Sequence, residues 1–423
     1  MKRILIITYY WPPSGGAGVQ RWLKFAKYLS EFGYEVVVYT PEEGEFPSED
    51  TSLFKDIPES LEILKTPIWE PYDLYKKFVG QKKTEKVNAG FIQESKKPKK
   101  TQGLSVWIRG NLFIPDARKF WIKPSVKFLK DYLKQKPVDT IITSGPPHSM
   151  HMIALGLKRK LKTKFPRWIA DFRDPWTNID YYKDLKLSAW ADKKHKSLEK
   201  KVLSEADQII TVGKTLAKEL EFLGAKSVAT ITNGYDSEDF TDSKTALDEK
   251  LSIAHIGSMN KDRNPIQLWK YLSEKVKTDE NFSSRLEVKL IGKVDIAILE
   301  ELETLGLTPF LNHIKYLPHN EVVVEQQKSK VLLLVVNDTP NAKGILTGKM
   351  FEYMAAKRPI LMIGPPEGDA AEILNEDGYG KCFDFNNSNF DPFFTQDFDT
   401  WKATGNPEKY TRKALTKRLS KLL

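Results

Sequence analysis

Short apolar runs alternate with amphipathic helical patterns along almost the whole chain, and no other feature limits the fold so tightly. Runs such as "ILIIT" (Ile4 to Thr8), "EVVVYT" (Glu35 to Thr40) and "VLLLVV" (Val331 to Val336) are apolar without a period of two. Strands of that kind are buried on both faces, and helix-length patterns between them make parallel sheets with crossover helices. A first series predicts strands over 4–8, 35–40, 61–65, 140–143, 168–171 and 208–212. A second predicts 252–256, 286–291, 313–317, 331–336 and 359–363. Between the first two strands, Leu23, Ala26, Tyr28 and Leu29 mark the buried face of a helix over Val19–Glu31, which Gly33 ends. The fold class is α/β, with two Rossmann-like doubly wound domains facing a cleft.

The length, 423 residues, exceeds one ordinary core and suits two domains. The first is expected over residues 1–240, with an insertion at about 67–124 that is too long for a normal strand-to-helix connection. The second is expected over 250–400. A basic terminal helix at 406–423 is expected to pack back on the first domain.

The charge is uneven. Net charge is +10, and residues 81–136 alone hold 15 Lys/Arg against 4 Asp/Glu. This segment includes "KKPKK" (Lys96 to Lys100) and interleaves Trp107, Phe113, Phe120 and Trp121 with Arg109, Arg118, Lys119 and Lys123. Such a mixture suits either an anionic membrane surface at the inner face of the membrane or a solvated surface helix. Nucleic acid is not expected, because no nucleic-acid module signature accompanies the charge. No run approaches the roughly 18 apolar residues of a membrane span. The N-terminus lacks a small-residue cleavage site, and the single cysteine, Cys382, gives neither a disulfide framework nor a metal cluster. A cytoplasmic chain without a bound metal or cofactor is the expectation.

In a doubly wound sheet, ligands meet the carboxyl ends of the strands. "YYWPPSGGAGVQRW" (Tyr9 to Trp22) occupies such an end, where Gly15, Gly16 and Gly18 let backbone amides approach a phosphate or a sugar. Their spacing is not G-x-G-x-x-G, and no carboxylate closes the second strand, so a dinucleotide is not expected. A plain tight turn is the alternative. "SGPPHSMH" (Ser144 to His151) and "IADFRDPW" (Ile169 to Trp176) end two further strands. They supply His148, Asp171, Arg173 and Asp174 as site candidates, or an Asp–Arg structural lock. In the second half, "HIGSMNKDRNP" (His255 to Pro265) offers Gly257, Ser258 and Arg263. "TGKMFEYMAAKRPILMIG" (Thr347 to Gly364) opens a helix with Thr347 and Gly348 and sets Lys349 and Glu352 on one face. A cation beside free amides suits a diphosphate, and a carboxylate one turn later suits sugar hydroxyls; a surface ion pair is the simpler alternative.

Taken in order, "ILIITYYWPPSGGAGVQRWLKFAKYLSEFGYEVVVYT", "TNGYD" (Thr232 to Asp236), "HIGSM" and "KMFEYMAAKRPIL" resemble the retaining, nucleotide-sugar-dependent glycosyltransferases of the family 4 type, with the GT-B fold. "LFIPDARKFW", "TSGPPHSMH" and "IADFRDPW" resemble a bacterial subgroup of surface-polysaccharide assembly. The resemblance implies a metal-independent hexosyl transfer from a nucleotide diphosphate sugar, as co-substrate, to a glycan or lipid-linked acceptor. It places Gly15, Gly16, Gly18, Gly257, Ser258, Thr347, Gly348 and Glu352 at the donor, and His148 and Asp171 toward the acceptor. It gives catalytic roles to Arg173, Asp174 and Arg263, and the reading of the residues adds Lys349 to them. Three positions depart from the pattern. Gly344 replaces the first glutamate of Glu-x7-Glu, Ser258 replaces an arginine, and Asn264 replaces a lysine. Retention against inversion stays open, as do an epimerase on the same fold and a non-catalytic nucleotide-sugar-binding protein.

Overall fold

The computed structural model describes residues 1–46, 48–71, 100–240 and 245–423. The chain divides into two compact units, Met1–Thr232 with Leu415–Leu423, and Asn233–Ala414. The first unit holds β1 (Arg3–Ile7), β2 (Glu35–Pro41), β3 (Glu62–Thr66), β4 (Thr140–Gly145), β5 (Arg167–Phe172), β6 (Gln208–Thr211) and β7 (Val228–Thr230). The second holds β8 (Leu251–Ile256), β9 (Leu286–Ile291), β10 (Leu311–Ile314), β11 (Val331–Val335), β12 (Ile360–Ile363) and β13 (Gly380–Phe383). Both sheets are parallel, in the orders β3-β2-β1-β4-β5-β6-β7 and β10-β9-β8-β11-β12-β13. Each therefore reverses its winding once, between β1 and β4 in one and between β8 and β11 in the other.

The continuous apolar strands are explained by cores on both faces. In the first unit, Leu5, Ile7, Val37, Tyr39, Ile141, Trp168 and Ala170 pack on one face. Ile4, Ile6, Val36, Val38, Ile142 and Ile169 pack on the other. Helix 119–135 covers the first face with Trp121, Leu129 and Leu133. Helix 17–31 covers the second with Val19, Trp22, Leu23, Phe25, Ala26 and Leu29. Leu415, Leu419 and Leu423 join that second face. The end of the chain is fixed there, as Lys2 Nζ donates to the Leu423 carbonyl at 2.6 Å and Tyr34 Oη to that of Ser420 at 3.2 Å. The second unit repeats the scheme. Ile253, Val288, Leu333 and Leu361 lie on one face, and Ala254, Ile256, Leu334 and Met362 on the other.

Two strands were not anticipated from sequence, β7 and β13, both short and at a sheet edge. The strand expected at 313–317 begins two residues earlier and ends at Ile314. The terminal segment is a 3-10 turn followed by a helix over Arg412–Ser420. Within the expected insertion, helix 100–112 and the start of helix 119–135 are formed, and the basic run over 81–99 lies outside the described residues. No helix among the described residues is long and apolar enough to cross a membrane.

Candidate functional site

In the second unit, the loops after β8 and β11 leave the sheet at its reversal point and are tied together there. Arg263 Nε donates to Asn337 Oδ1 at 2.5 Å and its Nη1 to the Ser258 carbonyl at 3.1 Å, while the Asp338 amide donates to the Asp262 carbonyl at 2.8 Å. Arg263 is thus held with its guanidinium planted between the two loops. Helix 348–355 follows, capped at Thr347 without a side-chain cap bond. The Thr347 hydroxyl is buried and has no partner. That leaves the first amides of the helix, and one hydroxyl beside them, available to an anion.

Lys349 lies across Gly257. A Cβ at position 257 would sit 2.6 Å from Lys349 Nζ, and the residue adopts φ 114°, so only glycine permits this approach. Behind it is His255, fully buried, whose Nδ1 is 3.0 Å from the Leu333 carbonyl. A carbonyl only accepts, so Nδ1 carries the proton and Nε2 is left as an acceptor, 3.5 Å from Lys349 Nζ. Burial, then the charge of Lys349, holds the His255 imidazole well below its ordinary pKa. Burial, then the charge of Arg263, lowers Lys349 to about 7. Two cations crowd this helix N-terminus, and among the described residues no carboxylate forms a salt bridge with Lys349, an arrangement suited to an anion. Glu352, one turn on, turns to a different partner and accepts from Gln326 Nε2 at 3.2 Å, and burial raises its carboxyl pKa. The surface ion pair between Lys349 and Glu352 is therefore not formed. Asn264 bonds inward to Glu301 and to Trp269 Nε1, so it does not stand in for a cation at this site.

In the first unit the glycine turn is bound to the loop at 48–50. The Gly15 amide donates to the Ser48 carbonyl at 2.9 Å and the Asp50 amide to that of Pro13 at 2.8 Å. Gly16 adopts φ 87° and opens helix 17–31. Gly18 lies against Arg173, whose guanidinium donates to the carbonyls of Gly18 and Pro146 and joins the loops after β1 and β4. Asp174, the next residue, is exposed.

His148 is buried, stacked on Trp176 at 4.4 Å, with Nδ1 unpartnered. His151 stacks on Phe172, and its Nδ1 meets Thr143 Oγ1 at 2.8 Å. Burial, followed by the neighbouring charges, keeps both rings neutral, His151 at about 3. The structure brings Gly18, Arg173 and the His148 loop together at the carboxyl ends of β1, β4 and β5.

Asp171 stands apart from them and corrects its reading as an acceptor contact. It is fully buried, and its oxygens accept from Arg21 Nε and Nη2, Trp22 Nε1 and Ser144 Oγ at 2.6–3.2 Å. Its complete burial among these partners closes it to a substrate. The Asp–Arg lock exists, but its arginine is Arg21 on helix 17–31, not the adjacent Arg173. Sequence reasoning missed Arg21, whose one signal was a charge beside Trp22 on an otherwise apolar face. It also missed His255, Gln326 and Ser14, a buried hydroxyl in the glycine turn without a partner.

No protein-family model and no curated protein matches the sequence. Solved structures do match the fold. Sucrose-phosphate synthase from Thermosynechococcus elongatus superposes with TM-score 0.62 at 12% identity, over 100% of this chain and 98% of its own. The chain has the GT-B fold. TarM from S. aureus, in complex with fondaparinux, alpha-GlcNAc-glycerol and UDP, gives 0.57 at 12% identity, over 100% and 99%. A protein from Listeria monocytogenes described as a UDP-N-acetylglucosamine 2-epimerase gives 0.53 at 11%, over 99% and 95%. At these identities the likeness establishes two Rossmann-like domains, and the chemistry must be argued from the residues.

Proposed function

We propose that the chain is a glycosyltransferase that takes a sugar from a nucleotide diphosphate donor and passes it to a glycan or lipid-linked acceptor in cell-envelope polysaccharide synthesis. The observation that carries this reading is the pair Arg263 and Lys349 beside the first amides of helix 348–355, which no side chain caps at Thr347, at the reversal point of the second sheet. Breaking a glycosyl–phosphate bond leaves a diphosphate whose charge must be neutralised as an oxocarbenium-like centre forms. Preorganised cations and amides supply that stabilisation without a metal ion. In this reading Lys349 and Arg263 meet the departing phosphate, and Gly257 gives the backbone close approach. Thr347 and the Gly348 amide bind the donor, with Glu352 and Gln326 taking sugar or ribose hydroxyls. Gly16, Gly18 and Arg173 border the acceptor side with His148. Retention of configuration follows the family resemblance rather than any carboxylate placed here.

The test is a thermal-shift panel of UDP, GDP, ADP and their sugars, followed by transfer assays with the nucleotide that binds. Lys349→Ala should lower turnover by about 10²–10³-fold, as for loss of one preorganised donor, without lowering the unfolding midpoint. Unchanged turnover would sink the assignment. The epimerase reading has one specific support, the 2-epimerase among the fold neighbours. It predicts conversion of the donor alone, with no acceptor added.

A further inference from the structure

Helix 119–135 is amphipathic in an unusual way. Its inner face is core, with Trp121 stacked on Tyr39 at 4.8 Å and Ser125, Leu129 and Leu133 buried. Its outer face, at helical spacing, is Phe120, Lys123 and Lys127, all exposed, while Phe128 lies at the edge of the inner face and stacks on Tyr39 at 5.8 Å. No acidic residue occurs from Ala117 to Lys130, whereas Arg118, Lys119, Lys123, Lys127 and Lys130 all fall in that stretch. Arg118 pairs with Glu70 at 3.0 Å and Asp131 Oδ1 lies 3.7 Å from both Lys130 and Lys134, so among the described residues the unbalanced positive charge is that of Lys119, Lys123 and Lys127.

The same end carries an apolar knob. Trp69 packs edge-on to Phe120 at 4.7 Å, and Phe113 packs against it at 6.0 Å. Trp69 is 57% exposed, Leu112 53%, and Phe120 and Phe128 38% each. Lys119 Nζ is drawn back to the Leu112 carbonyl at 2.6 Å and lies over the Phe120 ring, at the rim of the knob. Exposed aromatics that pack edge to face with one another make a compact apolar tip, and do not offer open ring faces to bases. A tip of Trp and Phe within a ring of lysines matches the depth profile of a bilayer surface: rings at headgroup level, amines at lipid phosphates.

We propose that this face, Trp69 with Phe120, Lys123 and Lys127, docks on an anionic phospholipid bilayer. The surface also has a position in the fold that gives docking a use. Asp116, just ahead of the helix, accepts from the Ser149 amide at 2.8 Å, so the knob stands at the same end of the first sheet as His148. Docking brings that end of the sheet to the membrane, whatever reaction the chain performs.

The experiment is co-sedimentation of the full chain with vesicles of phosphatidylcholine alone and of phosphatidylcholine mixed with phosphatidylglycerol, at low and at raised salt. Binding is expected to the mixed vesicles only and to weaken with salt. Each of Lys123→Glu and Lys127→Glu should reduce partitioning by at least about fivefold, the value of one basic residue near an anionic surface. Phe120→Ser should reduce it without changing its salt dependence. All these side chains are exposed, and unfolding midpoints equal to that of the parent confirm that the variants fold. The nucleotide thermal shift, retained in the same variants, separates this result from the transferase reading. Absence of sedimentation with the mixed vesicles, equal binding to both vesicles, or binding indifferent to both charge reversals overturns the proposal. So does salt-sensitive binding of RNA or DNA that the charge reversals abolish while vesicle binding persists.

Discussion

Lys349 is a cation held where a cation is uncomfortable. Burial and the charge of Arg263 lower it to about 7. A diphosphate placed against it favours the charged form and pulls its pKa upward. Binding of a nucleoside diphosphate near pH 8 should therefore take up a proton, and affinity should fall as pH rises above about 7. Calorimetry in buffers of different ionisation enthalpy reads the proton directly. Binding without uptake, or uptake that persists in Lys349→Met, would place the diphosphate elsewhere. His151 sets a second pH dependence, this one of stability. Its native pKa, about 3, lies below the ordinary 6.5 because burial penalises the charged ring. The unfolded chain thus binds a proton that the folded chain refuses, so the stability is complete above pH 6.5 and is lost as pH falls toward 3. His151 alone removes about 1.4 kcal/mol per pH unit across that window. His151→Phe should flatten the acid limb of a urea-midpoint against pH plot, with His148, His195 and His255, whose pKa values burial also lowers, contributing to the slope that stays.

At the level of elements, the motif "LFIPDARKFW" resolves into separate tasks. Asp116 accepts from the Ser149 amide and hydroxyl, both at 2.8 Å, and so caps helix 149–161 from another segment. Arg118 pairs with Glu70 at 3.0 Å and lies over the Tyr9 ring, Phe120 builds the exposed knob, and Trp121 enters the core. Asp116→Ala should cost about 1 kcal/mol, within the range for loss of an N-cap, read as a lower urea midpoint at unchanged slope. A midpoint unmoved by the change would show that solvent caps the helix equally well. The strands between such motifs were mostly legible because burial on both faces leaves an unbroken apolar run. β7 and β13 were not, since "VAT" and "GKCF" are short edge strands only partly buried. The site was legible where one loop carries its residues, as in Gly257 and Arg263. Asp171 was misread because its partner lies 150 residues away on a helix, a pairing that no local spacing reveals.

For the whole molecule, the order of the chain and the order of the cores differ. The sequence leaves the first unit at Thr232 and re-enters it at Leu415. Those last nine residues cannot be a dispensable tail, because Leu415 and Leu419 are fully buried against Ile4, Ile6, Trp22 and Phe25 on one face of the first sheet. A buried leucine cut to alanine costs about 2–5 kcal/mol, against a total stability of about 5–15 kcal/mol for an ordinary domain. Leu419→Ala should therefore give a folded but clearly weakened first unit. A chain ending at Ala414 loses four leucines together, three of them buried, along with the anchors from Lys2, Tyr34 and Arg418. It should fail to accumulate in soluble form, or unfold at a far lower denaturant concentration than the full chain. The proposed nucleotide site lies in the other unit and draws on none of these residues. A truncated chain that keeps the parent midpoint would mean that the terminal helix rests on the first sheet without stabilising it.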